Sequence, residues 1–194
     1  SPHDRVPSHG VQFYGQTYAV DLIHEPTAGP RPTPRTWPLA RPAHTYPSFG
    51  QPILAVAPGV VTRACGRSRD HWSRDSWPAM LFLLIEGMLR ELTGPGRILG
   101  NHVVVRHDDG SYGAYAHLQR KSLRVGKGDR VEEGQMLAGC GNSGNSSEPH
   151  LHVQLMDHRY PVVAAGLPMA FTGVSIAGEP RTEIPGTATP FEAA

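Results

Sequence analysis

The sequence predicts a mainly β protein in which one helix and one long proline-rich loop are inserted into an antiparallel core. Three observations support this prediction. The 194 residues include 22 glycines and 19 prolines, which favours short strands and many turns. Most apolar runs are short and bounded by turn residues, as strands are. Only one stretch shows helical periodicity. A chain of this length is expected to form one domain.

Composition excludes several classes of protein. The net charge of +1 gives no reason to expect nucleic acid or another polyanion as a partner. No run approaches the ~18 apolar residues of a membrane span, and no signal peptide is visible. The two cysteines, Cys65 and Cys140, form no disulfide framework. One bridge between them stays open, although both are expected to be small buried residues.

The first predicted strand lies in the apolar run of residues 18–23, which Asp21 interrupts. A carboxylate in such a strand is costly unless it is paired or binds metal. Residues 25–52 then contain eight prolines, so we expect neither a core strand nor a helix there. This segment is either a wall of a substrate cleft or a surface insertion.

Residues 53–57 and 60–64 are predicted to be two strands joined by a tight turn at Pro58-Gly59. A helix then begins after Ser76, a suitable N-cap, and ends near Gly94-Pro95. Its apolar residues follow three-four spacing and predict one buried face: Trp77, Met80, Leu81, Leu84, Ile85, Met88, Leu89 and Leu92. We expect this helix to pack on the core, with a weak membrane or dimer contact as the alternative.

The remaining elements are short. Residues 102–106 and 111–118 are predicted strands, joined by a hairpin turn at Asp108-Asp109-Gly110. Alternation in the second strand places Tyr115 and His117 on one face. Turns and short strands are expected at 125–137, and a final pair of strands within 162–174. Residues 177–194 look like a loose polar tail, so the domain is expected to span residues 1–176.

The sequence around His150 and His152 carries the clearest chemical signal. A loop of small polar residues, Cys140-Gly-Asn-Ser-Gly-Asn-Ser-Ser-Glu-Pro, runs into His-Leu-His-Val-Gln-Leu-Met156. In a strand, His150 and His152 share one face. Two adjacent imidazoles suit zinc chemistry, in which one binds the metal and the other transfers protons. Two surface histidines on an edge strand are the simpler alternative.

The run from Gly141 to Val153 resembles the zinc-binding end of the lysostaphin/LytM-type metallopeptidases, which cut peptide bonds in bacterial cell-wall peptidoglycan. Tyr18-Ala-Val-Asp-Leu22, Tyr115-Ala-His-Leu118 and residues 125–137 resemble further stretches of that family, in the same order. The resemblance implies a duplicated hybrid motif fold, also called a barrel-sandwich hybrid. Residues 25–52 and 66–100 would be insertions into it.

The resemblance also implies one Zn²⁺ per chain, bound by His9, Asp21 and His152. His9 and Asp21 are twelve residues apart, whereas the family commonly spaces these ligands by four. His117 and His150 would be the catalytic histidines, and which of them acts as the general base stays open.

Substrate recognition is the least determined part. Asn142 and Ser143, with Tyr115, are candidate substrate-binding residues, although flexibility of a small-residue loop explains the former two equally well. The resemblance implies a peptidoglycan endopeptidase that acts outside the cell or in its envelope, while the lack of a visible signal peptide leaves a cytoplasmic location open. The chain is expected to be a monomer or weak dimer. The alternative is a non-catalytic relative that binds cell wall or activates an amidase. No residue indicates which peptide bond is cut.

Overall fold

The structure is a computed structural model that describes residues 12–24, 37–91, 95–183 and 191–193. Within these ranges it contains twelve β-strands and two α-helices, and neither helix is long and apolar enough to cross a bilayer. In chain order they are β1 (Val20–Leu22), β2 (Pro52–Leu54), β3 (Gly59–Cys65), α1 (Trp77–Glu91), α2 (Pro95–Leu99), β4 (His102–His107), β5 (Tyr112–Ala116), β6 (Arg130–Val131), β7 (Met136–Gly139), β8 (Leu151–Met156), β9 (Gly166–Leu167), β10 (Phe171–Ile176), β11 (Glu179–Glu183) and β12 (Glu192–Ala193).

Most of these strands form one antiparallel sheet, in the order β1-β8-β5-β4-β3-β6, with β9 also paired to β8. One face of this sheet is covered by the two-stranded ladder β2-β7, so that a single apolar cluster lies between them. Fully buried members of the cluster include Val103, Val105, Tyr115, Leu118 and Leu137. The predicted mainly β, antiparallel fold is confirmed.

Strands β2 and β3 do not form the expected hairpin. β2 pairs with β7, whereas β3 pairs with β4 and β6. Gly59 at the start of β3 lies very close to β4: a Cβ at that position would lie 2.3 Å from the Arg106 carbonyl oxygen. The backbone of β3 is therefore pressed against β4, and the intervening residues cross between the two sheets.

The hairpin between β4 and β5 forms as predicted, with Arg106 opposite Tyr112. Gly110 supplies the positive φ of +90° that the turn requires. The Asp109 carboxylate accepts hydrogen bonds from the backbone and hydroxyl of Ser111, which closes the turn.

Helix α1 begins where expected, and Ser76 caps it by accepting a hydrogen bond from the Ala79 amide. Its predicted buried face is wrong for the described side chains. Trp77 and Leu81 are each 61% exposed, Ile85 is 53% exposed and Met80 is 39% exposed. Three-four spacing shows only that apolar residues share one side of a helix, and the described side chains on that side are exposed in this protein.

The segment before α1 holds the start of the helix in place. Residues 37–52 contain a short 3₁₀ helix (Ala43–Thr45), which the proline pattern did not predict, and strand β2 begins at Pro52, the last residue of the expected loop. The Ser76 hydroxyl donates to the Leu39 carbonyl, and the Tyr46 hydroxyl donates to the Asp75 carboxylate. Residues 25–36 of the predicted loop lie outside the described residues.

The carboxyl-terminal end differs from the expected loose tail. β11 pairs with β10, and β12 pairs with the other edge of β10. Phe171 and Phe191 stack with ring centroids 6.4 Å apart. A polar stretch can form such an exposed ladder because its backbone groups are paired by the neighbouring strand. Residues 184–190 lie outside the described part.

The two cysteines are both free. Cys140 is buried as expected, and burial raises the pKa of its thiol to about 12. Cys65 is exposed at the end of β3, so the expectation that both thiols are buried is wrong.

Candidate metal and catalytic site

Strand pairing brings the candidate residues together from distant parts of the chain. Asp21 on β1 lies directly opposite His152 on β8, and Ala116 on β5 is opposite His152 on its other side. His117 follows Ala116, and His150 immediately precedes β8. Four of the five residues expected to bind metal or act in catalysis therefore converge at one end of the β1-β8-β5 array. The fifth, His9, lies outside the described residues.

The Asp21 carboxylate is the centre of this group. Its Oδ1 atom lies 3.0 Å from His152 Nδ1 and 3.6 Å from His150 Nε2. The His152 side chain is 5% exposed, whereas that of Asp21 is 41% exposed. The carboxylate thus lies between the buried imidazole and solvent, so that an ion or molecule bound at Asp21 would be accessible from solvent.

The hydrogen bonds of His152 indicate which ring nitrogen carries hydrogen and which has a lone pair. Nε2 lies 2.8 Å from Gln154 Oε1, and an amide oxygen can only accept a hydrogen bond. Nε2 therefore carries hydrogen, and Nδ1 of the neutral ring has its lone pair directed at Asp21. Two acceptors 3.0 Å apart require a cation between them, either a proton or a metal ion.

The pKa of His152 agrees with this electrostatic demand. Burial acts to lower the pKa, but the hydrogen bond and charge of Asp21, assisted by Gln154, outweigh burial and raise the pKa above its ordinary value. Without a metal, a proton thus takes the position between Nδ1 and the carboxylate.

The other two imidazoles have the opposite orientation. His117 Nδ1 lies 2.9 Å from the Ser143 carbonyl oxygen, and His150 Nδ1 lies 2.7 Å from that of Glu148. Since a carbonyl only accepts, both Nδ1 atoms carry hydrogen. Each Nε2 therefore keeps a lone pair. The ring of His117 is centred 4.8 Å from that of His150 and 5.6 Å from that of His152.

His117 reaches this position because it leaves the strand. β5 ends at Ala116, and His117 has a φ of +59°, a left-handed conformation that is rare for a non-glycine residue. The expected alternation with Tyr115 therefore stops one residue early, and the two side chains do not share a face as predicted. Burial, reinforced by the nearby His150 and His152, lowers the pKa of His117 well below its ordinary value, so the ring is neutral near pH 7.

The loop of small residues holds the His117 ring in position through the Ser143 carbonyl. The Ser143 hydroxyl donates to the Leu118 carbonyl and accepts from the Asn101 amide, both at 2.9 Å. Gly144 passes so close to Gly100 that a Cβ on residue 144 would lie 2.5 Å from the Gly100 nitrogen. The loop is thus fixed by packing and hydrogen bonds, which fixes the carbonyl that orients His117.

The three residues expected to bind substrate are all buried. Asn142 and Ser143 are each 0% exposed, and the Asn142 amide donates to the His71 carbonyl. Tyr115 is also 0% exposed, and its hydroxyl accepts a hydrogen bond from the Val56 amide. Their side chains hold the loop and the core together and have no surface with which to contact a substrate in this conformation.

The residues present fit a metal site of the expected type as far as the structure describes it. Asp21 and His152 offer an oxygen and a nitrogen lone pair to the same point, and Zn²⁺ binds both kinds of atom. Within the described ranges, no group of three His, Cys, Asp or Glu side chains is close enough to hold a metal. A third protein ligand is therefore not evident in the described part of the chain, and the expected ligand His9 lies outside it.

Two contributors were missed by sequence reasoning. Gln154 contacts the candidate ligand His152, and the backbone carbonyl of Ser143 orients His117. Gln154 had a readable signal, because residues 150, 152 and 154 share one face of a strand. The Ser143 carbonyl had none, since it depends on how the loop folds back.

The chain is similar to known proteins in both sequence and fold. Residues 85–164 match the model of peptidase family M23. The peptidoglycan DD-endopeptidase ShyA of Vibrio cholerae is 40% identical over 73 residues, which are 37% of this chain and 16% of ShyA. Lysostaphin of Staphylococcus staphylolyticus is 35% identical over 92 residues, covering 45% of this chain and 19% of lysostaphin. The chain thus matches only a small part of each of these longer proteins.

Among solved structures, the catalytic domain of lysostaphin from Staphylococcus simulans aligns over 61% of this chain and 68% of its own length. The two are 24% identical, with a TM-score of 0.41. A zinc-containing peptidase from Vibrio cholerae is 22% identical, covers 61% of this chain and 26% of its own, and has a TM-score of 0.37.

Proposed function

The chain belongs to the lysostaphin/LytM-type peptidase family M23, and from that premise we propose that it is a zinc-dependent endopeptidase that hydrolyses peptide bonds in bacterial peptidoglycan. One observation carries the proposal. His152 Nδ1 and the Asp21 carboxylate meet at 3.0 Å, with the imidazoles of His117 and His150 beside them, each with its lone pair on Nε2.

Asp21 and His152 would hold the zinc ion, together with His9. Asp21 remains partly open to solvent, which suits a site that must admit a substrate. When bound, zinc supplies a Lewis acid that polarises the scissile carbonyl and lowers the pKa of a water molecule.

His117 and His150 supply the proton transfers. Both have Nδ1 fixed as a hydrogen donor to a backbone carbonyl, so each can accept or release a proton only at Nε2. One of them removes a proton from the attacking water, and the other donates a proton to the leaving amine or stabilises the oxyanion. His117 is held as a neutral ring by burial, which keeps its Nε2 available as a base.

The place of action and the substrate class rest on the relatives. Two of the matched proteins are by name a peptidoglycan DD-endopeptidase and a glycyl-glycine endopeptidase. We therefore propose peptidoglycan peptides as substrate and the cell envelope or exterior as the site of action. The bond that is cut remains to be determined by digesting defined cross-linked muropeptides and reading the products by mass spectrometry.

Metal analysis combined with two histidine variants tests the proposal. Purified protein is expected to hold about one zinc per chain. His150→Ala should abolish peptide release while keeping the metal, whereas His152→Ala should lose both. His44→Ala, an exposed histidine in the 43–45 turn, is the matched control and should retain both. Protein that binds cell wall but holds no zinc would contradict the proposal and favour a non-catalytic binding role.

A further inference from the structure

Gln154 is a fully buried polar side chain that joins the candidate ligand His152 to the amino-terminal turn. It is 0% exposed on β8. Its Oε1 lies 2.8 Å from His152 Nε2, and its Nε2 lies 2.7 Å from the Tyr14 carbonyl oxygen and 2.9 Å from Met156 Sδ. Neither role proposed above, metal binding or proton transfer, uses this side chain.

The Tyr14 carbonyl determines which way the amide of Gln154 points. The two ends of a glutamine amide have similar shapes, so its orientation follows from its partners. A backbone carbonyl can only accept, and the amide nitrogen must therefore face Tyr14. The amide oxygen is left facing His152, which must then donate from Nε2.

This arrangement selects the tautomer of His152 that can bind a metal at Asp21. With hydrogen held on Nε2, the lone pair of the neutral ring is on Nδ1, 3.0 Å from Asp21 Oδ1. Were the amide reversed, Nε2 would be the acceptor and Nδ1 would carry hydrogen, which prevents ligation through that atom. Outer partners that orient a ligating imidazole in this way support both its geometry and its basicity.

The turn that carries the Tyr14 carbonyl is itself pressed onto Gln154. Tyr14 and Gly15 have φ values of +61° and +70°. A Cβ at residue 15 would lie 2.8 Å from Met156 Cγ and 3.0 Å from Gln154 Nε2. Glycine at this position therefore allows the amino-terminal turn to approach β8 closely enough for the hydrogen bond to form.

We propose that Gln154 is a positioning residue for His152, and that the Tyr14–Gly15 turn fixes Gln154 so that His152 offers Nδ1 to the metal. This inference rests on the proposed zinc site. It links the turn at residues 13–15 to the candidate zinc ligand His152, far away in the sequence.

The experiment measures zinc affinity by competition with a chelator, without reference to activity. Gln154→Leu removes the hydrogen bonds to His152 and to Tyr14 and should weaken zinc binding about 10- to 100-fold. Gln154→Glu retains an acceptor for His152 Nε2, and in its protonated form it can also donate to Tyr14, so its affinity should stay within about threefold of the wild type. Val104→Ala, a buried residue of β4 outside the site, controls for a general loss of packing and should bind zinc normally.

The outcomes separate this proposal from the function on which it rests. Wild-type protein that binds no zinc overturns both. If the wild type binds zinc and Gln154→Leu binds it equally well, only the positioning role is overturned. If Gln154→Leu does not fold, Gly15→Ala decides, because the added methyl displaces Gln154: weaker zinc binding than in the control Gly110→Ala supports the proposal, and unchanged binding overturns it.

Discussion

Gly144→Ala is expected to destabilise the protein because residue 144 has a backbone conformation that disfavours alanine and no space for a methyl group. Its φ is +76°, and a left-handed conformation costs an L-residue about 1–2 kcal/mol. The added Cβ would also lie 2.4 Å from the Ile98 carbonyl oxygen and 2.5 Å from the Gly100 nitrogen. Both are backbone atoms, which cannot rotate away, so overpacking adds about 1–3 kcal/mol. The free energy of unfolding should therefore fall by about 2–5 kcal/mol.

Gly110→Ala is the matched control for this measurement. Its φ is +90°, but a Cβ there has no neighbour within 4 Å, so only the conformational cost of about 1–2 kcal/mol applies. Urea unfolding of the two variants, followed by circular dichroism, separates the two contributions. Equal losses in the two variants would refute the reasoning, since they would show that Gly144 has room for a methyl group.

Two further predictions concern a buried histidine and helix α1. Burial lowers the pKa of His102 below its ordinary value of 6.5. As the pH falls below about 6.5, the unfolded chain takes up a proton at this residue more readily than the folded protein does. The free energy of unfolding therefore decreases on the acid side of pH 6.5. His102→Asn should therefore flatten the acid side of the stability profile by up to ~1.4 kcal/mol per pH unit in urea titrations between pH 4 and 7, and parallel profiles would contradict this. Leu81→Ala on the exposed face of α1 should change the free energy of unfolding by less than about 0.5 kcal/mol. Leu137→Ala, at 0% exposure, is the buried comparison and should lower it by about 2–5 kcal/mol. Similar losses in the two variants would mean that α1 packs as a core helix.

The sequence predicted those features that depend on neighbouring residues. The turn at Asp109-Gly110 and the cap at Ser76 are local arrangements of a few side chains with the adjacent backbone, so their residue types identify them. The pair His150 and His152 was readable for the same reason, because strand alternation alone puts them beside each other. The meeting of Asp21 with His152 was predicted from family resemblance, since no local pattern relates residues so far apart.

Features that depend on which surfaces meet were not predictable in this way. The pattern of α1 correctly indicated a helix with one apolar side, but nothing in it states whether that side finds a partner. β2 and β3 are adjacent in sequence, yet the close approach of Gly59 to Arg106 assigns them to different sheets. His117 departs from alternation because its φ is +59°, and its ring is held by the Ser143 carbonyl of a distant loop. Each case is decided by packing between distant segments.

The order of strands in the large sheet limits how far the protein can be shortened. The region that matches the peptidase family begins at residue 85, but two strands of the sheet come earlier in the chain. They are β1, which carries Asp21, and β3, which pairs with β4. A fragment cut at residue 85 would keep the three imidazoles yet lack Asp21, and the edges of β8 and β4 that pair with β1 and β3 would be left unpaired and prone to aggregation. The minimal functional unit for expression or transplantation must therefore begin upstream of Val20.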